Sequence, residues 1–561
     1  MTVSSFEQLI DSAQQFMSSG RLDLAAETCR KILAVDAAQG DALHLLGIIR
    51  AQGGHLTEAI ELLEGAVLSL PEDPDARSNL AHMLRQTQQL EQAAQRYAEA
   101  IALRPDFPEA LVGLGQVSRL LGRAQTAIDS FSSAIRLGHV SAEVYFARGV
   151  LLSDAGELEL AMADLDQCIA LSPTSPEPRS SRAAILAKWG FIQSAEAEHR
   201  RALSLNPNFI DGYCNFADFL LTAGRYEEAL AQARKAIELQ PGFAEAHWNA
   251  SLALLHLGQY SEGWSEYEWR WECLAFRGLH PQRFPWAQPL ATTGLHGKSI
   301  LVFSEQGYGD TIQFARYLLL LRAEGALVTF LAFDRVSALF SCLEADGIEV
   351  VAALGAGRQF DFSIPLMSLP RRYSTSADDI PYAKSAYLKP VVDNSKILEK
   401  LPVKSNKQRI GLMWRGGDHG KLHPRSVPLA LLSELVSEHF EWIGLPLEVG
   451  VDEEHLLKWF PEMYCPLTEQ KNFLDTAAII ATCDLVISVD TSVAHLAGAM
   501  GIPTWVMLPR WSDWRWSLDT NRSRWYQSVR LIRQKTAGEW RDAIETIKSR
   551  LRSEAGIAYA D

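Results

Sequence analysis

Small residues recur at a fixed spacing along the first half of the chain. Glycine returns every 34 residues, Gln88 fills the single gap, and a second small residue stands five positions after each of these sites. The glycines are Gly20, Gly54, Gly122, Gly156, Gly190, Gly224 and Gly258, and the second series is Ala25, Ala59, Ala93, Ala127, Ala161, Ala195, Ala229 and Gly263. A period shared by two small positions indicates stacked copies of one supersecondary unit.

Each unit is predicted to be a helix, a turn and a second helix. A third small position lets the two helices approach closely, and a proline ends the second helix because it lacks an N–H group. The small positions are Gly47, Ala81, Gly115, Gly149, Ala183 and Ala217, and the prolines are Pro71, Pro105, Pro173, Pro207 and Pro241. This pattern resembles the tetratricopeptide repeat, which implies a superhelix of seven to eight repeats over residues 1–272.

The period stops after residue 272, where a different pattern begins. From residue 297 onward, short apolar runs alternate with amphipathic stretches, which is typical of parallel sheets covered by helices. The runs are 299–304, 326–333, 348–353, 360–365, 409–414, 440–445, 484–489 and 504–508. They predict two doubly wound domains, one at 297–392 and one at 409–553 that ends in a helix, joined by a polar linker at 393–408.

Tryptophans are concentrated at the junction and near the C-terminus. The stretch 264–290 is rich in tryptophan and proline, and it predicts a hydrophobic seam between domains, with the junction at 273–296, rather than a cofactor site. Its tryptophans are Trp264, Trp269, Trp271 and Trp286. Four further tryptophans could stack on a base or sugar, or pack against the neighbouring domain, and they are Trp511, Trp514, Trp516 and Trp525.

The net charge of −15 belongs to the repeats. Residues 1–272 contain 36 acidic and 21 basic residues, whereas the remaining residues contain 32 of each. This distribution argues against nucleic-acid partners and anionic membrane surfaces.

The N-terminus lacks a signal-peptide pattern, no apolar run is long enough to span a membrane, and the seven cysteines form no CxxC pair, so a cytoplasmic location is expected.

Two loops of the second half carry candidate chemistry. In the first loop, Gly307 and Gly309 permit a tight turn before Asp310 at the start of a helix. The second loop, between an apolar strand and a helix, consists of Asp490, Thr491, Ser492, Val493, Ala494 and His495. A helix N-terminus with hydroxyl groups beside it is suited to bind a phosphate anion. Each loop alone is equally consistent with an ordinary helix cap.

Together the two loops resemble the lipopolysaccharide heptosyltransferase family, whose members are inverting glycosyltransferases of the GT-B fold. The resemblance covers about residues 297–550, and it implies that 297–392 is the acceptor-side domain and 409–553 the nucleotide-sugar domain. It also implies a donor-facing loop at Trp414, Arg415, Gly416 and Gly417. It implies that Asp310 is the catalytic base and that Arg425 meets the donor phosphates. It also implies a donor diphosphate held by Asp490, Thr491, Ser492, Val493 and His495, with Gly307, Gly309 and Trp414 facing the donor. Glu448 follows a strand and is a candidate contact for the ribose or base.

The repeats offer a candidate acceptor site. Asn79, Asn215 and Asn249 occupy one repeat position and resemble the asparagine ladder of protein O-GlcNAc transferases, which holds the acceptor backbone. Other residues interrupt the ladder, so asparagine at this position could also be incidental; they are Leu45, Gly113, Ala147 and Ser181. The layout of repeats followed by a transferase is similar to that of protein O-GlcNAc transferases and bacterial flagellin glycosyltransferases.

The expected fold is thus an α-solenoid followed by a GT-B pair of Rossmann-like domains. The expected function is metal-independent transfer of a sugar from a nucleotide sugar to a hydroxyl group of a protein held by the repeats, with flagellin as one candidate. No D-x-D motif occurs in the second half, so neither a metal nor a cofactor is expected. Asp310 is expected to ionise near its usual pKa of about 3.9. The alternatives are a non-catalytic scaffold with a degenerate transferase half, or a transferase acting on a glycan or lipid.

Overall fold

A computed structural model of the protein describes residues 3–279, 288–289, 294–392, 396–417, 425–446, 449, 451–458, 460–466, 472–518 and 520–554. The chain divides into two compact units, residues 1–207 and residues 208–561. The predicted repeat pattern continues to residue 272, but the boundary between the compact units lies earlier, within the repeats.

The first unit consists of paired helices, as the 34-residue period predicts. Its helices are α1 (Val3–Ser18), α2 (Leu22–Leu33), α3 (Gly40–Gln52), α4 (Leu56–Ser69), α5 (Pro74–Gln86), α6 (Leu90–Leu103), α7 (Pro108–Leu120), α8 (Ala124–Arg136), α9 (Ala142–Asp154), α10 (Leu158–Leu171), α11 (Glu177–Lys188) and α12 (Ile192–Leu205). The turn inside each pair requires a left-handed residue, for example Gly54 at φ 79°. Gln88, which replaces glycine in the third repeat, adopts the same conformation at φ 64°.

The third small position allows close packing of the paired helices. A Cβ atom on Gly115 of α7 would lie 2.6 Å from Cε1 of Phe131 on α8. Phe131 is fully buried and cannot swing into solvent. The period of small residues is therefore a direct consequence of how close the helices lie.

Gly115→Ala is expected to destabilise the first unit by about 1–2 kcal/mol, because the overlap with Phe131 outweighs the gain in helix propensity of about 1 kcal/mol. Chemical unfolding followed by far-ultraviolet circular dichroism measures the change. Gly242→Ala, in a turn of the second unit, controls for the replacement of glycine by alanine where there is space, since a Cβ atom there meets nothing within 4 Å. A Gly115→Ala protein as stable as the wild type would contradict the close-packing argument.

The second unit begins with the last repeats. Helices α13 (Ile210–Thr222), α14 (Tyr226–Leu239), α15 (Ala244–His256) and α16 (Tyr260–Tyr267) are followed by 3-10 turns at Glu268–Glu272 and Leu274–Leu279. Tyr260, Trp264 and Tyr267 lie in one hydrophobic core with Phe314 and Trp514 of the α/β part. This shared core explains why the last repeats belong to the second compact unit.

The first sheet follows the predicted alternation. Its strands are β1 (Gln288–Pro289), β2 (Ser299–Phe303), β3 (Leu327–Leu331), β4 (Glu349–Val351) and β5 (Phe362–Pro365), and they are parallel in the order β1-β5-β2-β3-β4. Ile300 of β2 pairs with Val328 on one side and with Phe362 on the other. The helices of this part are α17 (Tyr308–Phe314), α18 (Arg316–Ala323), α19 (Asp334–Ser337) and α20 (Leu369–Arg372), with 3-10 turns at Ala338–Asp346 and Leu366–Ser368.

The second sheet has six parallel strands. They are β6 (Arg409–Met413), β7 (Glu441–Gly444), β8 (Met463–Tyr464), β9 (Leu485–Val489), β10 (Thr504–Leu508) and β11 (Val529–Arg533), in the order β11-β10-β9-β6-β7-β8. The helices are α21 (Leu429–Leu432), α22 (Val451–Leu457), α23 (Phe473–Ala481), α24 (Ser492–Ala499) and α25 (Arg541–Glu554), with a 3-10 turn at Trp514–Trp516. The predicted α/β class is confirmed, while β8 and β11 were not predicted.

Strand order determines where a ligand can bind. The chain reverses its direction of travel across the second sheet between β6 and β9, and across the first sheet between β2 and β5. Loops that leave the carboxyl ends of strands at such a reversal diverge and leave a crevice. The two candidate loops follow β2 and β9, so the fold positions both of them at a crevice.

The clustered tryptophans pack inside the second unit. Trp264, Trp514, Trp516 and Trp525 are at most 3% exposed. Trp511 packs on Gly224, where an added Cβ atom would lie 2.3 Å from its ring. Of the tryptophans predicted at the seam, Trp264 lies in the core shared with the α/β part, Trp269 stacks on His247 of the last repeat, and Trp286 lies outside the described residues. None of the helices in the described part of the chain is both long enough and apolar enough to cross a bilayer.

Candidate functional site

A cleft of about 900 Å³ lies in the second unit. Its walls come from the last repeat, the loop after β2, the loop after β6, the start of α24 and the segment around the 3-10 turn Trp514–Trp516. The principal lining residues are Trp248, Leu252, Tyr267, Gly307, Gly309, Asp310, Arg335, Arg415, Gly416, Gly417, Arg425, Asp490, Thr491, Ser492, Val493, His495, Asp513 and Arg515.

Asp310 is the carboxylate at the centre of this cleft. It is the third residue of α17, and its Oδ2 accepts a hydrogen bond of 3.0 Å from the Gly307 N–H group. Its Oδ1 accepts a hydrogen bond of 2.5 Å from Nη2 of Arg515. Burial raises the pKa of Asp310, and the neighbouring Arg515 lowers it only in part. The expectation of an ordinary pKa is therefore wrong, and Asp310 is a stronger proton acceptor than an exposed aspartate.

The two glycines of the first loop allow close contact with α24. A Cβ atom on Gly309 would lie 3.0 Å from Cδ2 of His495 and 3.6 Å from the Cα atom of Ser492. A Cβ atom on Gly307 would lie 3.1 Å from Oδ2 of Asp310. The predicted loops thus meet where Gly309 approaches Ser492 and His495, which places the Asp310 carboxylate beside the start of α24.

The start of α24 is suited to an anion. Thr491 is the N-cap residue, and its carbonyl oxygen accepts hydrogen bonds from the N–H groups of Ala494 (3.1 Å) and His495 (3.3 Å). The first N–H groups of a helix have no carbonyl partner within the helix, and the helix dipole places partial positive charge there. Thr491, Ser492 and Val493 all line the cleft.

Arg425 adds a full positive charge to the same wall. Its Nη1 donates to Oδ2 of Asp490 at 3.1 Å, and its Nη2 donates to the carbonyl oxygen of Gly417 at 3.0 Å. Asp490 is only 4% exposed. The buried Asp490 therefore positions the Arg425 guanidinium at the cleft instead of contacting a ligand with its own carboxylate.

His495 is a neutral side chain in this environment. It is 5% exposed, its Nδ1 lies 3.0 Å from the Tyr526 hydroxyl, and its ring stacks on Trp516 with centroids 4.9 Å apart. Burial lowers the pKa of His495 to about 3, and the charge of Arg515 acts in the same direction. His495 can offer a hydrogen bond to a phosphate but supplies no positive charge at pH 7.

The depressed pKa of His495 predicts a loss of stability in acid. Between an unfolded pKa of about 6.5 and the folded pKa of about 3, only the unfolded chain binds the proton, so stability falls as the pH drops, by up to about 1.4 kcal/mol per unit. Urea unfolding at pH 7.5, 6 and 5 checks this, and His495→Gln is expected to have a shallower pH dependence. An NMR titration that gave the imidazole a pKa near 6.5 would contradict it.

Trp414, a predicted donor contact, is buried away from the cleft. Trp414 is fully buried in the core beneath the second sheet, and its Nε1 donates to Oε1 of Glu453 at 3.0 Å. Of the predicted donor-facing loop, Arg415, Gly416 and Gly417 line the cleft, whereas Trp414 does not, because its side chain is buried in the core. Glu448 lies outside the described residues.

The three asparagines of the predicted ladder differ in exposure. Asn249 is 5% exposed, and its Nδ2 donates to the carbonyl oxygen of Cys214 at 3.0 Å. Asn79, in the first unit, lies with its Nδ2 2.8 Å from Nε2 of His44, whereas Asn215, in the second unit, is exposed. The prediction is wrong for Asn249, because its amide is buried and already bonded inside the unit.

Sequence reasoning did not single out Arg515 or Asp513. Nη1 of Arg515 donates to Oδ1 of Asp513 at 2.8 Å, and Nε donates to Oε1 of Gln313 at 2.9 Å. The sequence signal that could have identified them is a pair of opposite charges, Asp513 and Arg515, among closely spaced tryptophans. Such tryptophans predict a buried segment, and charged residues within a buried segment are candidates for a functional site. Among the described residues, no group of three or more His, Cys, Asp or Glu side chains could hold a metal ion.

Comparisons with known proteins identify the repeats. Family profiles described as tetratricopeptide repeat match residues 10–77, 142–175 and 214–267, and one described as TPR repeat matches residues 81–122. Protein FlbA of Caulobacter vibrioides is 26% identical over 298 residues, which are 46% of this chain and 47% of FlbA. The chain thus spans about half the length of this curated relative.

Similar solved structures cover the repeats only in part. YrrB, titled a TPR protein with an unusual peptide-binding site, is 25% identical with a TM-score of 0.30, covering 33% of this chain and 96% of YrrB. MamA is 21% identical with a TM-score of 0.27, covering 29% of this chain and 94% of MamA. PilF of Pseudomonas aeruginosa is 20% identical with a TM-score of 0.33, covering 36% of this chain and 93% of PilF. Scores at this level carry no argument about the present chain.

The family profiles agree with the observed helix pairs and with the 34-residue period. The N-terminal part of this chain is therefore a solenoid of tetratricopeptide repeats, and it is followed by an α/β part with two parallel sheets.

Proposed function

We propose that the protein is an inverting, metal-independent glycosyltransferase of the GT-B type, which transfers a sugar from a nucleotide sugar to a hydroxyl group of an acceptor protein. The observation that carries the proposal is the meeting of Asp310 with the start of α24 in one cleft. A carboxylate of raised pKa beside a phosphate-binding helix end is the pairing that this chemistry needs.

In the proposed reaction the acceptor oxygen attacks the anomeric carbon from the face opposite the leaving group. Its proton passes to Asp310, the bond from the sugar to the phosphate oxygen breaks, and the nucleoside diphosphate leaves with that electron pair. The charge that develops on the diphosphate is met by Arg425 and the first amides of α24, groups that are held in place before the reaction starts. A single displacement inverts the anomeric centre.

A protein acceptor is supported by the wall of the cleft that the repeats supply. Trp248 and Leu252 are one turn apart on α15, both are half-buried, and both line the cavity that contains Asp310. Tyr267 lies on the same wall, and its hydroxyl donates to Oε1 of Gln306 at 3.1 Å. Tetratricopeptide repeats generally bind peptides or proteins, so a segment bound along the last repeat would reach Asp310. Flagellin is one candidate for the acceptor.

The proposal is tested in two stages. A thermal-shift screen of nucleotide sugars, run with and without EDTA, is expected to give one stabilising donor whose effect does not need a metal. Intact-mass analysis of candidate acceptor proteins incubated with that donor is expected to show a gain of one sugar mass or more. A protein that binds no donor would be a scaffold, and transfer only to a glycan or lipid would contradict the protein acceptor.

A further inference from the structure

Arg515 is a buried cation that two carboxylates share. It is 8% exposed, and the arginine contacts Asp310 on α17 and Asp513 on its own segment. Its Nε is fixed by Gln313, whose own Nε2 has no hydrogen-bond partner among the described residues. The guanidinium also lies 4.2 Å from the centroid of the Trp514 ring. Such packing limits Arg515 to small movements inside the cleft.

The same guanidinium is adjacent to the start of α24. Trp516, the residue directly after Arg515, stacks on His495 in the first turns of α24. Asp310, the partner of Arg515, follows Gly309, where an added Cβ atom would lie 3.6 Å from the Cα atom of Ser492. Arg515 and a diphosphate at this helix end would therefore be close enough to interact directly.

The charges of the cleft leave Arg515 with competing partners. Asp310, Asp513 and Asp490 are the carboxylates of its lining, and Asp490 is already paired with Arg425. A guanidinium has five N–H donors in a planar fork that matches a phosphate as well as it matches a carboxylate. A diphosphate carries more negative charge than the single carboxylate of Asp310, so it is the stronger competitor.

We propose that Arg515 is a ligand of the donor diphosphate, and that binding of the diphosphate withdraws Arg515 from Asp310. This inference rests on the proposed function and adds an order of events to it. In this structure the Arg515 guanidinium donates a hydrogen bond to Oδ1 of Asp310. After the donor binds, Oδ1 is released to accept the proton of the acceptor hydroxyl, so the base becomes fully available only in the presence of donor.

A double-mutant cycle with inorganic pyrophosphate as the probe tests the inference without a known donor. Calorimetric titrations at one low salt concentration compare the wild type, D310N, R515Q and the double variant. We expect R515Q to weaken pyrophosphate binding about tenfold and D310N to tighten it about fivefold, since the carboxylate competitor is gone. In the R515Q background, D310N is expected to change the affinity by less than about twofold.

The outcomes separate the two proposals. Equal tightening by D310N in both backgrounds would mean simple charge repulsion and would overturn the inference, as would an unchanged affinity in R515Q. A wild type that binds no pyrophosphate contradicts the proposed function itself. If R515Q does not fold, R515M takes its place, because methionine keeps much of the buried side-chain volume and removes the cation for which Asp310 and the phosphate compete; undiminished tightening by D310N in that background overturns the inference. D334N, an exposed carboxylate outside the cleft, controls for net charge.

Discussion

Asp310→Asn is expected to lower the rate of sugar transfer by about 10² to 10⁴-fold. The amide oxygen of asparagine can still accept the Gly307 N–H group, so the start of α17 is preserved. The variant lacks only the negative charge and the proton-accepting capacity that the transfer requires. Initial rates with the donor and acceptor found by screening, together with calorimetric donor binding, measure the two effects separately.

Asp334→Asn is the matched control for this experiment. Asp334 begins α19 at the carboxyl end of the neighbouring strand, is exposed, and does not line the cleft. Its replacement is expected to leave the rate unchanged. If Asp310→Asn retained full transfer while folding and binding donor normally, Asp310 would not be the base, and the proposed mechanism would be lost.

Arg270→Met is expected to destabilise the second unit by about 3–5 kcal/mol. Arg270 is fully buried and donates through Nε and Nη2 to the Glu305 carboxylate at 2.9 and 3.0 Å. Without this cation, Glu305 remains buried with an uncompensated charge or must take up a proton. Unfolding followed by tryptophan fluorescence reports on this unit, because 14 of the 15 tryptophans follow residue 207.

Two further variants show whether the buried charge causes the loss. The double change of Arg270→Met with Glu305→Met removes both charges and is expected to recover part of the stability. Lys298→Met removes a surface pair with Asp361, in which Nζ and Oδ1 are 3.3 Å apart, and is expected to cost less than about 1 kcal/mol. A loss of similar size in Arg270→Met and Lys298→Met would contradict the argument.

Local patterns made much of this fold predictable. The glycine period marks left-handed turns, which depend on a single residue, and even Gln88 at the gap keeps the turn. The runs before Gly307 and Asp490 are apolar enough to specify buried parallel strands, so both loops could be assigned to carboxyl ends. The two loops follow strands of different sheets, however, so their meeting in one cleft is a tertiary contact that the local pattern did not specify.

Contacts between distant parts of the chain were not predictable in this way. Trp414 follows a strand and could have faced either side of the sheet, and only the packing around Gly444 and Glu453 places it in the core. Arg515 meets Asp310 across 205 positions of sequence, which no local motif records. The burial of Asn249 likewise depends on the neighbouring helix, since its partner is the carbonyl oxygen of Cys214.

The boundary at residue 207 has a practical meaning for protein engineering. Every described residue that lines the cleft lies in residues 208–561, including those contributed by the last repeat. Chimeras joined at Pro207 would exchange the upstream repeats and keep every described lining residue of the cleft, whereas chimeras joined at the end of the repeat pattern would remove Trp248 and Leu252 from its wall. Natural shuffling of such arrays would meet the same constraint.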